Sequence, residues 1–276
     1  MRLCYTFGMN IQSLGYRTDL IFPRFEGQIL DRGSYQVILT RTNPTFYWGN
    51  FLLFENPPGP GDLENWKAIF KREIGSQIGA KHFAFGWDGI HGELGQIGPF
   101  LDDGFNLSQS VVLTTGQVSI PPKYNLEAVV RPLSEAWEWE QAIENQIACR
   151  ETGHNLDDYR IFKRDQFARY RRMTSAGLGH WFGAFLGGQL VADLGVYTSG
   201  KVGRFQQVGT HPDYRRQGIC GALVYQASCY ALNQMQLETL VMVADEHYHA
   251  ARIYQSIGFS PQEREVGIDW WNKTQA

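Results

Sequence analysis

The stretch 208–223, VGTHPDYRRQGICGAL, holds the residues whose types and spacing say most about chemistry. It reads as a strand, a short basic loop with Arg215 and Arg216, and a helix whose first turn carries Gly218, Ile219, Cys220 and Gly221. A helix N-terminus leaves several backbone N–H groups unpaired and carries partial positive charge. Small residues let an anion approach those amides, and two arginines supply countercharge. The layout is that of a diphosphate cradle. A glycine-rich loop alone is weak evidence, but a second element, HYHAARIYQSIGF at 247–259, follows at a fixed distance.

Together the two elements resemble the GNAT superfamily of acetyl-CoA-dependent N-acetyltransferases. The diphosphate motif of that family, Arg/Gln-x-x-Gly-x-Gly/Ala, falls on Arg215, Gly218 and Cys220, with cysteine in place of the last small residue. Its lead-in falls on Val208, Pro212, Tyr214 and Arg215. The later family pattern falls on His247, Ala250, Ile253, Tyr254, Gly258 and Phe259, with His247 where asparagine is usual. The resemblance covers the chain from about residue 125 onward. It implies acetyl-CoA as acyl donor and a primary amine, on a small molecule or a peptide, as acceptor. The strand edge at 207–210, including Val208, Gly209 and Thr210, would pair with the pantetheine amides. The amides of Arg216, Gln217, Gly218, Ile219, Cys220 and Gly221 would take the diphosphate, and His247 would contact the cofactor arm.

Acyl transfer to an amine needs a polarised carbonyl, a neutral amine and a protonated leaving thiolate. Tyr254 is the candidate acid: a phenol with a pKa of about 10 stays protonated at neutral pH and can donate to a thiolate whose conjugate acid lies at about 8.5. The base is harder to place. Gln206 and Gln207, on the strand before the loop, cannot remove a proton. Asp193, an acid within an apolar strand, is the nearest carboxylate, and it serves either as base or as partner to Arg204 on the next strand. Cys220 lies where the helix dipole lowers a thiol pKa, although a tolerated small residue is the simpler reading. His247 either titrates near neutrality or merely begins a helix. Gly258 and Phe259 read as a helix C-cap and a core anchor. No His, Cys, Asp and Glu spacing suggests a metal.

The elements that must position these groups are legible. In the second half, strands are expected at 126–130, 180–186, 189–197, 202–211, 239–244 and 263–270. Gly187 and Gly188 signal a hairpin. Helices are expected at about 134–150, capped by Ser134, and at 158–173, 219–232 and 250–257. In the first half, strands are expected at 35–41, 46–54, 83–87 and 108–114. A proline-rich break at 57–61 precedes a helix capped by Asp62, with Leu63, Trp66, Ile69, Phe70 and Ile74 on one face. Both halves follow the order strand, helix, strand, Gly-Phe, strand, and Phe100–Phe105 aligns with Tyr254–Phe259. This suggests a diverged internal repeat whose first copy lacks both the basic loop and the tyrosine. The expected architecture is α/β (α+β): a GNAT-like mixed sheet flanked by helices over 125–276, and a smaller degenerate GNAT-like domain over 1–120. Pro121 and Pro122 stiffen the join at 118–125.

Composition bounds the rest. With 276 residues and 43% hydrophobic content, the chain can build two real cores. A net charge of −3 gives no basic surface for nucleic acid or an anionic membrane. No apolar run spans a bilayer. Four cysteines (Cys4, Cys149, Cys220 and Cys229) lack paired spacing, which points to free thiols and a cytoplasmic setting. Aromatic residues make up 14% of the chain, so Trp137, Trp139, Tyr159, Phe162, Tyr170 and Trp181 are expected around the acceptor site, with Glu138, Glu140 and Glu144 facing its ammonium. The resulting expectation is an acetyltransferase acting by direct attack in a ternary complex. The alternatives are a non-catalytic CoA-binding sensor and a transferase using a longer acyl or aminoacyl donor.

Overall fold

The computed structural model describes residues 8–150, 156–245 and 250–271. The chain divides into two compact units, residues 8–111 with 263–271, and residues 112–262. Residues 263–271 thus group with the first unit rather than with the half in which they lie.

The first unit opens with α1 (Leu14–Asp19) and α2 (Ile21–Phe25), neither of which the residue pattern announces. There follow β1 (Gln28–Asp31), β2 (Tyr35–Leu39), β3 (Asn50–Phe54), α3 (Asp62–Phe70), α4 (Ser76–Ile78), β4 (His82–Trp87), α5 (Gly98–Asp102) and β5 (Asn106–Thr115). Strands β1, β2 and β3 pair antiparallel, whereas β3 and β4 run parallel on either side of α3. Trp66, Phe70 and Ile74 of the expected helical face are buried, and Trp66 stacks on Phe54 at 3.8 Å. Asp62 does not cap α3. Gly61 takes the N-cap in a left-handed conformation, and Asp62 turns back to accept from the Gly59 amide at 2.8 Å.

The second unit contains β6 (Val129–Pro132), α6 (Ala136–Ala148), α7 (Leu156–Ser175), β7 (Gly179–Leu186), β8 (Gln189–Ser199), β9 (Val202–Thr210), α8 (Ile219–Asn233), β10 (Thr239–Asp245), α9 (Ala250–Ile257) and the start of β11 (Ser260–Trp271). Its strands lie in the order β10-β9-β8-β7-β6, with β10 and β9 parallel and the others antiparallel. Both α6 and α8 pack against β8. Adjacent β7 residues point to opposite faces: Trp181 meets Trp139 and Phe167, while Phe182 meets Tyr230 of α8. Helix α6 starts one residue later than expected. Glu135 is its N-cap, and Glu138 reaches back to accept from the amides of Ser134 (2.7 Å) and Glu135 (3.1 Å), a capping box.

The repeat is visible in the geometry. Each copy joins two parallel strands through a helix, β3-α3-β4 and β9-α8-β10, then runs through a short helix into a strand. Gly104 (φ 86°) and Gly258 (φ 117°) close α5 and α9, and the bonds Phe105 N to Phe100 O (3.0 Å) and Phe259 N to Tyr254 O (3.1 Å) are equivalent.

Candidate active site

The basic loop folds as its glycines require. Arg216 (φ 60°) and Gly218 (φ 78°) are both left-handed, and Gly218 is the N-cap of α8. The first bond of the helix runs from Ala222 N to Gly218 O at 3.1 Å. The amides of Arg216, Gln217, Gly218, Ile219, Cys220 and Gly221 have no hydrogen-bond acceptor among the described residues. Six consecutive free amides at the positive end of a 15-residue helix form an anion-binding concavity. Arg215 and Arg216 are exposed beside it, with Arg215 Nε anchored on Thr210 O at 3.1 Å. The Cys220 thiol is not lowered: burial pushes it up to about 11, against a hydrogen bond with Thr210 that pulls it down.

Directly before the loop, the sheet opens. Strands β9 and β10 pair only from Val202/Thr239 to Arg204/Val241. Beyond that rung, residues 205–210 of β9 have no partner on the β10 side among the described residues. On the other side a bulge falls between Asp193/Gly209 and Gly195/Gln206, so Leu194 opposes two residues, and Gln207 takes φ 54°. A bulge bends its strand and re-aims its backbone. Val208, Gly209 and Thr210 therefore lie on the stretch of β9 that β10 leaves unpaired, directly before the basic loop. Three carbonyls there already accept one bond each from α6 or its end: Gln207 O from Gln146 (2.7 Å), Gly209 O from Asn145 (3.4 Å) and Thr210 O from the Cys149 thiol (3.2 Å).

Behind the bulge lies a buried polar network. Asp193 has no exposed surface. Its Oδ1 accepts from Asn145 and Gln146, both at 2.8 Å, and its Oδ2 accepts from Trp181 Nε1 at 2.9 Å. It does not pair with Arg204, which lies in register with Tyr197 and donates to Phe205 O. Burial raises the Asp193 carboxyl to about 7, against the pull of these donors and of Lys163. Lys163 of α7 is equally enclosed. Its ammonium donates to Gln207 Oε1 at 2.6 Å and to Gln166 Oε1 at 3.1 Å. Burial lowers it to about 8, opposed by Asp193. Gln207, unable to act as a base, is thus clamped through both backbone and side chain. Residue-type reasoning missed Lys163, although a signal exists. Lys163, Gln166, Phe167, Tyr170 and Met173 all fall on the buried stripe of α7, where a lysine is out of place.

Tyr254 lies on α9, 5% exposed, with its ring 6.5 Å from Phe259. Phe259 in turn meets Phe205 edge-on at 5.7 Å, and Phe205 is the first β9 residue past the last β10 rung. His247 lies outside the described residues. The expected aromatic lining is corrected in part: Tyr170 and Trp181 are sealed in the core, with Tyr170 stacked on Trp181 at 4.8 Å and on Tyr197 at 5.4 Å, Trp137 faces outward, and Trp139, largely buried, borders a pocket with Ile143 and Phe167. Glu138 cannot greet an ammonium because it is buried against Arg131 and the α6 cap. Glu140 and Glu144 pair with Arg164 and Arg160. Among the described residues no cluster of His, Cys, Asp and Glu could hold a metal ion, and no helix is long and apolar enough to cross a membrane.

Residues 177–261, from the start of β7 into β11, match the family model for an acetyltransferase (GNAT) domain. No curated protein matches the chain in sequence. Among solved structures, a conserved protein of unknown function from Staphylococcus epidermidis superposes with a TM-score of 0.70 at 15% identity, covering 90% of this chain and 95% of its own. A GCN5-related N-acetyltransferase from Kribbella flavida gives 0.64 at 15% identity, covering 94% and 96%. A tandem GNAT protein from the clavulanic acid biosynthesis pathway gives 0.51 at 13% identity, covering 91% and 86%. At such identities these likenesses speak for the fold, and the tandem case agrees with the repeat seen above. Residues 177–261 thus match the model of an acetyltransferase (GNAT) domain, and the chain has the fold seen in GCN5-related N-acetyltransferases.

Proposed function

We propose that the protein transfers an acetyl group from acetyl-CoA to a primary amine, carried by a small molecule or a peptide, by direct attack in a ternary complex in the cytoplasm. The observation that carries this reading is the continuity of the unpaired β9 edge at 205–210 with six free amides at the start of α8. An extended pantetheine arm can pair with the first, and the diphosphate it leads to can sit on the second. Val208, Gly209 and Thr210 bind the arm. Arg216 to Gly221 bind the diphosphate through their amides, and the Arg215 and Arg216 guanidiniums add countercharge. His247 falls near the cofactor arm by its place in the motif.

The incoming ammonium gives one proton to the Lys163–Asp193 pair, whose burial brings both groups to titrate near neutrality. With both carboxylate oxygens occupied, Asp193 acts from behind Lys163 and Gln207 rather than at the unpaired strand edge. The neutral amine attacks the thioester carbon, the C–S bond breaks, the nitrogen gives up its surplus proton to solvent, and the Tyr254 hydroxyl protonates the departing thiolate, later regaining a proton from solvent. The chemistry is assigned to the copy at 125–276. The copy at 1–120 has Phe100 in place of Tyr254 and supplies none.

Calorimetric titration with acetyl-CoA, beside a thiol-release assay over a panel of amines, tests the reading. Binding with amine-dependent CoA release supports it. Binding without release on any amine or with any acyl chain length makes the protein a CoA sensor, and absence of binding refutes the cradle.

A further inference from the structure

Residues 118–125 were expected only to stiffen a join. In the structure residues 117–125 lie against the glycines of both sequence motifs. A Cβ built on Gly258 would stand 2.8 Å from Gln117 O. One on Gly218 would stand 3.0 Å from Asn125 N and 3.1 Å from Lys123 O, and one on Gly221 would stand 3.1 Å from Lys123 O and from Pro121 Cγ. Glycine at these positions makes room for this segment.

The segment also holds three successive carbonyls of the loop. Arg216 O accepts from Lys123 Nζ, Gln217 O from Asn125 Nδ2 at 3.1 Å, and Gly218 O from Asn125 N at 3.3 Å. The Asn125 side chain is itself fixed, its Oδ1 accepting from Glu127 N (3.0 Å) and Ala128 N (2.9 Å). In a planar trans peptide the C=O and the following N–H point in opposite directions. Holding the carbonyls of Arg216, Gln217 and Gly218 on one side therefore aims the amides of Gln217, Gly218 and Ile219 to the other. The left-handed conformation of Arg216 is disfavoured for a residue with a side chain, so the loop needs an external hold to keep it.

We propose that residues 117–125 form a strap that presets the diphosphate cradle, with Asn125 and Lys123 as its positioning residues. The proposal rests on the acyl-CoA reading above. Donors fixed before binding cost no reorganisation when the ligand arrives, so the strap raises affinity for the diphosphate-bearing part of the donor alone.

The test compares CoA with pantetheine, which lacks the diphosphate, by calorimetry on the full chain. Asn125→Ala removes the hold on Gln217 O, and Asn125→Ser removes it while keeping a hydroxyl to cap Glu127 and Ala128. Each variant should weaken CoA binding by about fivefold or more, the worth of one hydrogen bond. Pantetheine affinity should stay within twofold of wild type. Lys123→Gln, which keeps a donor for Arg216 O, should bind CoA more tightly than Lys123→Met. Equal losses for CoA and pantetheine, or no loss for CoA, would overturn the strap. A wild-type protein that binds CoA no better than pantetheine would instead sink the cradle reading on which it rests.

Discussion

Lys163 and Asp193, buried in one polar network and joined through Gln207 and Gln146 rather than by direct contact, make a prediction whose magnitude can be worked from their partners. Lys163→Met leaves Gln166 Oε1 and Gln207 Oε1 without their donor. An orphaned buried acceptor costs about 1–3 kcal/mol, and the apolar methionine recovers part of it, for a net loss of about 2–3 kcal/mol. Asp193→Asn meets three converging donors with only one acceptor oxygen, so its new amide must face a donor. It also removes the negative charge that opposes the lowering of Lys163, whose ammonium is then buried among neutral partners. The double variant carries no such charge. Its loss should fall short of the sum of the single losses by about 2 kcal/mol, within the range measured for residues of one network. Urea unfolding at pH 7.5, with constant m-values, reads the cycle. Losses that add to within about 0.5 kcal/mol would refute the coupling. The pH dependence supplies a signed check. Lys163 is lowered from 10.5 to about 8, so its folded site disfavours the charged form. Its contribution to stability is present above pH 10.5 and is lost as pH falls to about 8. Asp193 is raised from 3.8 to about 7, so its contribution is present below pH 3.8 and is lost as pH climbs to about 7. Wild-type stability should therefore sag between pH 7 and 8, and the sag should vanish in the double variant.

Tyr254→Phe should lower turnover at least tenfold while leaving acetyl-CoA affinity within twofold; wild-type turnover would remove the tyrosine from the acid role. For Glu138, burial alone would raise the carboxyl, but Arg131 and the amides of Ser134 and Glu135 overcome it and hold it at about 2. Glu138→Gln should cost about 2 kcal/mol at neutral pH through the weakened cap. That difference should shrink as pH falls from 4.5 toward 2, because the wild-type carboxylate is then protonated, and a difference independent of pH would contradict the assignment.

The sequence by itself determined much of the second unit. Near-continuous apolar runs mark β7 and β8, the glycine pair marks their hairpin, and Gly218 at the end of the basic loop places the start of α8. These are local signals, written in residue type and short spacing. The repeat was legible for the same reason, since Phe100 to Phe105 and Tyr254 to Phe259 carry the same short-range pattern and make the same closing bond. What a side chain faces was not legible. Tyr170 and Trp181 have the composition of a binding cleft but fill a core, because burial depends on what packs from α6 and α7 across β7 and β8. Asp193 was visible as an odd acid in an apolar strand. Its partners Asn145, Gln146 and Lys163 come from two helices more than 25 residues upstream, and no local pattern records them. The glycines are the clearest case. Their positions can be read from the chain, yet one reason for them, a segment that crowds a Cβ at Gly218 and Gly221 and excludes one at Gly258, exists only once residues 117–125 are folded against them.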